Sequence, residues 1–211
     1  MTKNIKNMME YAVGNLKIGK DTLIFNMGSA HNCPSKRLGL CNIDCYALKS
    51  EKRYPATYPY RTRQEAYWLR NDAFKIAEDI QVAFNRKLKT PLKYVRINES
   101  GDLHSADCVN KLIRIAEILP NIMFYTYTHR SDLIYNNMVV PKNLIINCSN
   151  FRRDGFNTFQ AVSSVKVHRM ADIPKCKKEI LKFADYACFG DCSKCGYCKK
   201  AHGKVIGCPI H

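Results

Sequence analysis

The sequence predicts an α/β fold, in the form of a partial or irregular parallel β/α barrel with a small cysteine-rich metal module at its C-terminal end. Short apolar segments alternate with segments whose apolar residues recur every three or four positions, and strands that alternate with helices form parallel β/α units. Too few units are present for a closed eightfold barrel. Beyond about residue 175 the periodicity gives way to lysines and cysteines, so we assign residues 1–174 to the α/β domain and residues 175–211 to the cysteine-rich module.

The first half of the chain is predicted to hold one strand and one long helix. A polar arm over residues 1–20 precedes an apolar segment, residues 23–27, that has the composition of a buried strand. The proline-rich segment 54–60 is unsuited to a helix. We expect the helix to begin at the capping-box pattern of Thr62 and Glu65. Apolar residues at helical spacing form its buried face: Ala66, Leu69, Ala73, Ile76, Ala77, Ile80 and Phe84.

The second half of the chain repeats the order strand, loop, helix, strand. Ser105 can cap a helix that follows it by accepting a hydrogen bond from the first turn. A short helix is predicted over residues 131–138. The predicted strands cover residues 92–97, 122–127, 144–148 and 161–167.

The chain is strongly basic, with 34 lysines and arginines against 18 acidic residues and a formal net charge of +16. A charge of this size favours polyanionic partners through counterion release and electrostatic steering. The tyrosines of segment 54–67 can in addition stack on bases. These features predict DNA or RNA as a partner. The alternative is a solvated basic surface whose tyrosines pack inside the protein.

Hydropathy and cysteine content predict a cytoplasmic protein with no membrane partner. No apolar run approaches the roughly 18 residues that a membrane span needs, and the first residues lead into no apolar secretory segment. The 11 cysteines are an odd number, which argues against a disulfide framework. In a reducing compartment these thiols stay free to bind metal.

Four cysteines near the C-terminus are spaced as ligands of an iron–sulfur cluster. The two-residue gaps in the pattern Cys-x3-Cys-x2-Cys-x2-Cys let successive turns direct sulfurs toward one centre, and Gly190 and Gly196 supply backbone freedom. A structural zinc site is the alternative, although zinc modules usually separate two cysteine pairs by a dozen or more residues. Cys208 and His211 are interpreted as neighbours of the ligands, and the alternative is that one of them substitutes as a ligand. The predicted ligands of one 4Fe–4S cluster are Cys188, Cys192, Cys195 and Cys198.

A second cysteine set follows the first predicted strand, where α/β folds place their chemistry. We call Cys33, Cys41 and Cys45 the N-terminal cysteine set; three thiolates on a second cluster leave one iron open to S-adenosylmethionine. The first gap of this set is longer than the usual radical-SAM spacing, and Tyr46 follows the last cysteine instead of preceding it. The alternative is that one or more of these thiols is a buried structural residue.

Polar residues end successive predicted strands. Arg96, Ser100 and Asp102 close the strand at 92–97, and Thr128 closes the next one. Because parallel strands place their carboxyl ends at one side of a sheet, we expect these residues to meet the N-terminal cysteine set around one pocket. An Arg96–Asp102 charge pair suits a small anionic ligand. These four polar residues are the catalytic candidates, and the alternative is that they serve turns and caps.

Several short motifs make the chain similar to the phage gene product 88 family. The likeness covers roughly residues 25–211 and departs at Glu99, Leu103 and His129. The resemblance implies a phage or prophage origin, a location in the host cytoplasm, and an iron–sulfur protein related to radical-SAM proteins. The motifs are Cys33-Pro34-Ser35, Cys45-Tyr46-Ala47, the pattern R-I-x-x-S-G-D from Arg96 to Asp102, and Phe124 to Thr128.

Two functions follow from these patterns. The first is a phage-type protein that binds a 4Fe–4S cluster and is redox-active or radical-SAM-like in descent. The alternative is a nucleic-acid-binding protein in which an iron–sulfur cluster or a zinc ion is structural. Neither pattern assigns an enzymatic reaction.

Overall fold

Eight strands form one sheet, which is mostly parallel. The computed structural model describes residues 9–15, 17–41, 45–167 and 170–210. The strands are β1 (Ala12–Val13), β2 (Thr22–Phe25), β3 (Tyr94–Ile97), β4 (Met123–Thr128), β5 (Leu144–Ser149), β6 (Asn157–Lys166), β7 (Tyr186–Ala187) and β8 (Val205–Ile210). Their order in the sheet is β1-β2-β3-β4-β5-β6-β8-β7, and among these pairs β1–β2 alone is antiparallel.

The helices begin where local sequence signals favour them. Asp72 and Ser105 cap two helices by accepting hydrogen bonds from the backbone N–H groups of Lys75 (2.8 Å) and Cys108 (3.3 Å). In the described ranges, no helix is long and apolar enough to cross a membrane. The α-helices of these ranges are α1 (Pro34–Arg37), α2 (Tyr46–Arg53), α3 (Thr57–Arg70), α4 (Ala73–Phe84), α5 (Ala106–Ile118) and α6 (Lys177–Ile180), and 3-10 helices cover Met170–Cys176 and Tyr197–Lys199.

The main hydrophobic core lies between the sheet and helices α3, α4 and α5, on what we call the first face of the sheet. Alternate residues of the central strands, such as Val95, Ile97 and Phe124, point to this face and are buried. Trp68 of α3 and Leu112 of α5 belong to the same core. Removal of this apolar surface from water, at about 25 cal/mol per Å², is the main force that holds the helices on the sheet.

The opposite, second face of the sheet carries polar and aromatic side chains. Arg96 pairs in register with Tyr125, and Tyr127 pairs with Asn147, so these side chains lie in two successive rows on this face. Strands β7 and β8 are parallel neighbours, so the chain between them has to cross back over the sheet. This connection, residues 188–204, lies against the second face.

The helix predicted to begin at Thr62 and to continue to the end of α4 is wrong in its bounds. It is two helices, because Asp72 caps α4 and thereby starts a new helix. Helix α3 begins already at Thr57, within the proline-rich segment that was predicted to be unsuited to a helix. Pro59 falls in the first turn of α3, where a backbone N–H has no helical partner to lose.

The predicted apolar face is confirmed in α4 but not in α3. In α3 the predicted residues Ala66 and Leu69 are exposed, while Tyr67 and Trp68 are buried. The helix predicted over residues 131–138 is also wrong, since this segment forms turns. In both cases tertiary packing overrode a short local pattern.

The α/β class and the mostly parallel sheet are confirmed, whereas closure into a barrel is not seen in the described ranges. Strands β1 and β7 are the two edges of the sheet and do not pair with each other. Strand β8 lies between β6 and β7, so the segment beyond residue 175 contributes two strands to the common sheet. The domain division at residue 174 stays a prediction.

Candidate functional site

The connection between β7 and β8 brings four cysteines to one pocket on the second face of the sheet. We call residues 188–198 the cysteine knuckle. The pocket wall also includes Tyr125 and Tyr127 of β4, Tyr186 of β7 and Ile206 of β8. The knuckle contributes all four predicted ligands to this wall: Cys188, Cys192, Cys195 and Cys198.

The knuckle folds through tight turns at its glycines. Gly190 and Gly196 adopt left-handed conformations with φ of 80° and 72°. Between them, the N–H of Cys195 donates to the carbonyl of Asp191 (3.1 Å), and the N–H of Ser193 donates to the side chain of Asp191 (3.1 Å). These turns bring successive cysteines to the same pocket.

Two buried asparagines anchor the connection to the sheet. The side-chain amide of Asn147 donates to the carbonyl of Cys198 (3.1 Å), and that of Asn157 donates to the carbonyl of Lys200 (2.8 Å). The Asn157 side-chain oxygen also accepts from the N–H groups of His202 (3.0 Å) and Gly203 (3.1 Å). Sequence reasoning missed Asn157, because a single asparagine before a strand looks like an ordinary turn residue.

Phenol groups lie against two of the sulfurs. The Tyr186 hydroxyl lies 3.4 Å from Sγ of Cys195, and the Tyr186 ring stacks on that of Tyr197 at 3.9 Å. Burial raises the pKa of the Cys198 thiol to about 12, and a hydrogen bond with Tyr127 acts in the opposite direction. Because a hydrogen bond to a thiolate stabilises it, the Tyr127 hydroxyl favours the form of Cys198 that binds metal.

A buried lysine places positive charge beside the sulfurs. Lys199 is 7% exposed, its ammonium lies 3.9 Å from the centre of the Tyr94 ring, and it forms no ion pair with a described carboxylate. Burial lowers the pKa of Lys199, while the negative charges of Asp21, Cys192 and Cys195 act against that shift. The ammonium is therefore placed to balance negative charge on the knuckle.

Cys208 of β8 is a further thiol beside the knuckle. It lies two residues after Ile206 on the same strand, and alternate strand residues share a face, so Cys208 points to the pocket side. Burial raises the pKa of Cys208 to about 12, and Cys188 and Cys198 add to the shift. Its interpretation as a neighbour of the ligands stays a prediction, and His211 lies outside the described residues.

Among the residues that the structure describes, no three His, Cys, Asp or Glu side chains are arranged to hold a metal ion. The four knuckle cysteines nevertheless line one common pocket.

A buried carboxylate, Asp102, ties together the loops that follow β2, β3 and β4. The carboxylate is 2% exposed. Asp102 and Thr128 meet in this network, as the parallel topology led us to expect. The carboxylate accepts hydrogen bonds from the hydroxyls of Ser35 (2.6 Å) and Thr128 (2.6 Å) and from the backbone N–H groups of Leu103 (2.7 Å) and His129 (2.9 Å).

The N-terminal cysteine set lies beside this network. Cys33 immediately precedes α1 and Cys45 immediately precedes α2. Burial raises the pKa of the Cys33 thiol to about 11, with smaller contributions from the charges of Asp102 and Cys41. Residues 42–44 lie outside the described ranges. The role of these cysteines as metal ligands stays a prediction.

The predicted charge pair between Arg96 and Asp102 is not formed. Strand β3 ends at Ile97, and Asn98 takes a left-handed conformation with φ of 64°, so strand alternation stops there. Arg96 points to the second face of the sheet, whereas Asp102 lies in the loop beyond the strand end. The predicted rim residues are thus divided between two places.

Sequence reasoning missed the buried carboxylate of Glu51. Its side chain is shielded from solvent, and although burial disfavours its charge, hydrogen bonds outweigh this effect and lower the pKa of Glu51. A glutamate between lysines on a short helix looks like a surface residue, so the sequence holds no signal for this role. Its partners are the Ser100 hydroxyl (3.2 Å), the Ala30 N–H (2.8 Å), and the side chains of His31 (2.8 Å) and Arg61 (2.9 Å).

Fold and site together define an α/β protein with a mostly parallel sheet whose second face holds a cysteine-lined pocket. The sequence model of the family described as gene product 88 matches residues 2–205. The chain therefore belongs to the gene product 88 family, as its short motifs indicated. Neither a curated protein nor a solved structure matches the chain. The radical-SAM relationship stays a prediction.

Proposed function

We propose that the protein binds one 4Fe–4S cluster at the cysteine knuckle. The observation that carries the proposal is that a single pocket is lined by all four cysteines whose spacing selects them as ligands. Clusters of this type take four cysteine thiolates. The ligands are Cys188, Cys192, Cys195 and Cys198.

The spacing of the cysteines favours a cluster over zinc. The four thiols fall within residues 188–198 and line one pocket. Zinc modules usually separate two cysteine pairs by a dozen or more residues.

The residues around the pocket also suit a negatively charged cluster. Tyr127 and Tyr186 place hydroxyls at sulfurs, and Lys199 brings a cation to the same wall. A bound cluster supplies one-electron transfer, and hydrogen bonds to sulfur, net charge and solvent exposure set its reduction potential. The chain itself holds the cluster, donates hydrogen bonds to the sulfurs and balances their charge.

A curved sheet, as in a partial barrel, is part of the proposal. The N–H of Ser193 in the knuckle donates to the carbonyl of Lys17 in the β1–β2 turn at 3.1 Å. A connection that starts at the edge strand β7 thus reaches the strands at the other edge, which a curved sheet explains. In such a fold we expect the N-terminal cysteine set, after β2, to hold a second cluster open to S-adenosylmethionine.

Anaerobic purification followed by iron and sulfide quantification tests the cluster. We expect about four iron and four sulfide per chain, with broad absorption near roughly 400 nm. A value of about eight would assign a second cluster to the N-terminal cysteine set. Stoichiometric zinc without iron in the wild-type protein would contradict the proposal.

Replacement of single cysteines locates the cluster. Cys195→Ala should lose the knuckle cluster or make it labile to oxygen, because it removes one ligand. Cys176→Ala is the matched control, since Cys176 packs against a small apolar cluster near α6 and is absent from the pocket wall. Iron content in Cys195→Ala equal to that in Cys176→Ala would show that the knuckle is not the site.

We propose nucleic-acid binding as a second function, on one specific observation. Tyr54 and Tyr58 are exposed at the surface, and the guanidinium of Arg53 lies 5.5 Å from the centre of the Tyr54 ring. Exposed aromatic rings beside arginine stack on bases in single-stranded nucleic acid. Tyr67 is buried and has no part in this surface. The two functions are compatible, because a cluster can be structural in a nucleic-acid-binding protein.

A further inference from the structure

Arg96 lies on the second face of the sheet without a carboxylate partner. Its guanidinium carbon is 5.1 Å from the centre of the Tyr127 ring, and Tyr46 and Tyr125 are its other main neighbours. Its Nε is shielded from solvent and has no hydrogen-bond partner. Within the described ranges the side chain forms no ion pair. Arg96 is half-buried, and a half-buried charge without an ionic partner is unfavourable, so this guanidinium calls for an anion.

Glu99 contributes its negative charge to the electrostatic environment of Arg96, but its carboxylate interacts with other side chains. Its Oε1 accepts a hydrogen bond from Asn15 at 2.9 Å, and its Oε2 lies 3.9 Å from the guanidinium of Arg61. Glu99 therefore does not neutralise Arg96 at contact distance.

Solvent reaches part of the Arg96 side chain, which is half-buried. Its neighbour Tyr46, at the start of α2, is 55% exposed, and the Tyr46 hydroxyl donates to the backbone carbonyl of Glu99. A small molecule can therefore reach the exposed part of the Arg96 side chain.

Arg96 lies next to the cysteine pocket, since its neighbours Tyr125 and Tyr127 belong to the pocket wall. The guanidinium itself is not part of that wall. The site inferred for Arg96 is therefore distinct from the cysteine ligands of the proposed cluster.

We infer that Arg96 anchors a binding site for a small molecule that carries a carboxylate or phosphate group. A guanidinium offers N–H donors in a planar fork that matches two oxygens of either group. The aromatic ring of Tyr127 forms an apolar wall beside the fork. A few polar groups among aromatic walls are typical of small-molecule sites.

Calorimetric titration of the full chain, in a buffer poor in other anions, tests the site. Inorganic phosphate and succinate are titrated separately, and we expect saturable binding of at least one, which identifies the source of the oxygens. Arg96→Met should weaken that binding by about tenfold or more, because charge-assisted hydrogen bonds are lost. Arg114→Met is the control, since Arg114 pairs with Glu117 (3.0 Å) on the exposed surface of α5, and it should change the affinity by less than about twofold.

Thermal unfolding adds a readout that a merely structural arginine would not produce. Without added anion, Arg96→Met should unfold at the same temperature as the wild type or higher, because an unpaired half-buried charge is removed. Added phosphate or succinate should raise the unfolding temperature of the wild type but not that of Arg96→Met.

The inference is overturned if the wild type binds neither probe saturably, or if Arg96→Met binds as tightly as the wild type. An equal loss of affinity in Arg114→Met would show attraction by net charge alone and would overturn it too. If Arg96→Met does not fold, Arg96→Lys decides, because lysine keeps the charge and loses the fork. Weaker binding by Arg96→Lys supports the site, and unchanged affinity for both probes overturns it.

Discussion

At the residue scale, the single buried carboxylate of Asp102 holds the loops after three strands in position. Its two oxygens accept four hydrogen bonds, and the hydroxyl donors Ser35 and Thr128 are themselves fully buried. Each buried donor that loses its acceptor costs about 1–3 kcal/mol. The positions of the loops after three strands therefore depend on this one side chain.

Replacing Asp102 should destabilise the protein strongly. Asp102→Asn puts an amide N–H2 where a carboxylate oxygen accepts two hydrogen bonds, so we expect the free energy of unfolding to fall by about 3 kcal/mol. Urea unfolding measures this as a shift of the midpoint at constant slope. Asp107→Asn, at an exposed position in the first turn of α5, is the control and should cost less than about 1 kcal/mol. Equal shifts in the two variants would contradict this account.

At the scale of elements, the strand-end loops need close backbone contact. Gly101 has φ of 73°, and a Cβ at this position would lie 2.7 Å from the carbonyl oxygen of Gly28. The loop after β3 thus packs directly on the backbone of the loop after β2. This approach brings Asp102 within reach of Ser35.

Two glycine variants distinguish the energetic cost of a left-handed backbone from that of a steric clash. Gly155 has φ of 86°, and a Cβ added there would lie near no other atom. Gly155→Ala should therefore lower the free energy of unfolding by about 1–2 kcal/mol, which is the cost of a left-handed backbone in a residue other than glycine. Gly101→Ala adds a clash with backbone and should cost at least about 1 kcal/mol more. Thermal or urea unfolding of both variants gives the comparison. A smaller loss of stability in Gly101→Ala would refute the packing argument.

At the scale of the whole molecule, the net charge of +16 predicts binding to nucleic acid that weakens with salt. If about six phosphates are neutralised, affinity should fall about a thousandfold between 50 and 200 mM salt.

Tyr54→Ala should weaken binding to single-stranded DNA by about tenfold, since base stacking contributes about 1–3 kcal/mol. Tyr135→Ala is a matched control because Tyr135 is 56% exposed and Tyr54 is 54% exposed. If fluorescence anisotropy detects no binding at low salt, the proposal of nucleic-acid binding is contradicted.

The sequence by itself determined the α/β class, most of the strands, and the four cysteines of the cysteine knuckle. Hydrophobic periodicity and helix caps such as Ser105 act within one turn or one strand, so they can be read without the fold. The spacing of the knuckle cysteines likewise reflects a local turn geometry. For the same reason, local signals misplaced the start of α3, where Pro59 fits the first helical turn.

Only the tertiary structure decided which side chains share a site. Arg96 and Asp102 lie close in sequence, but β3 ends between them, so one points to the second face of the sheet and the other joins the loop network. Tyr127 and Lys199 meet the cysteines because the connection from β7 to β8 crosses the sheet. Strand register, strand ends and the path of a crossover depend on contacts between distant segments, and residue spacing along the chain does not contain them.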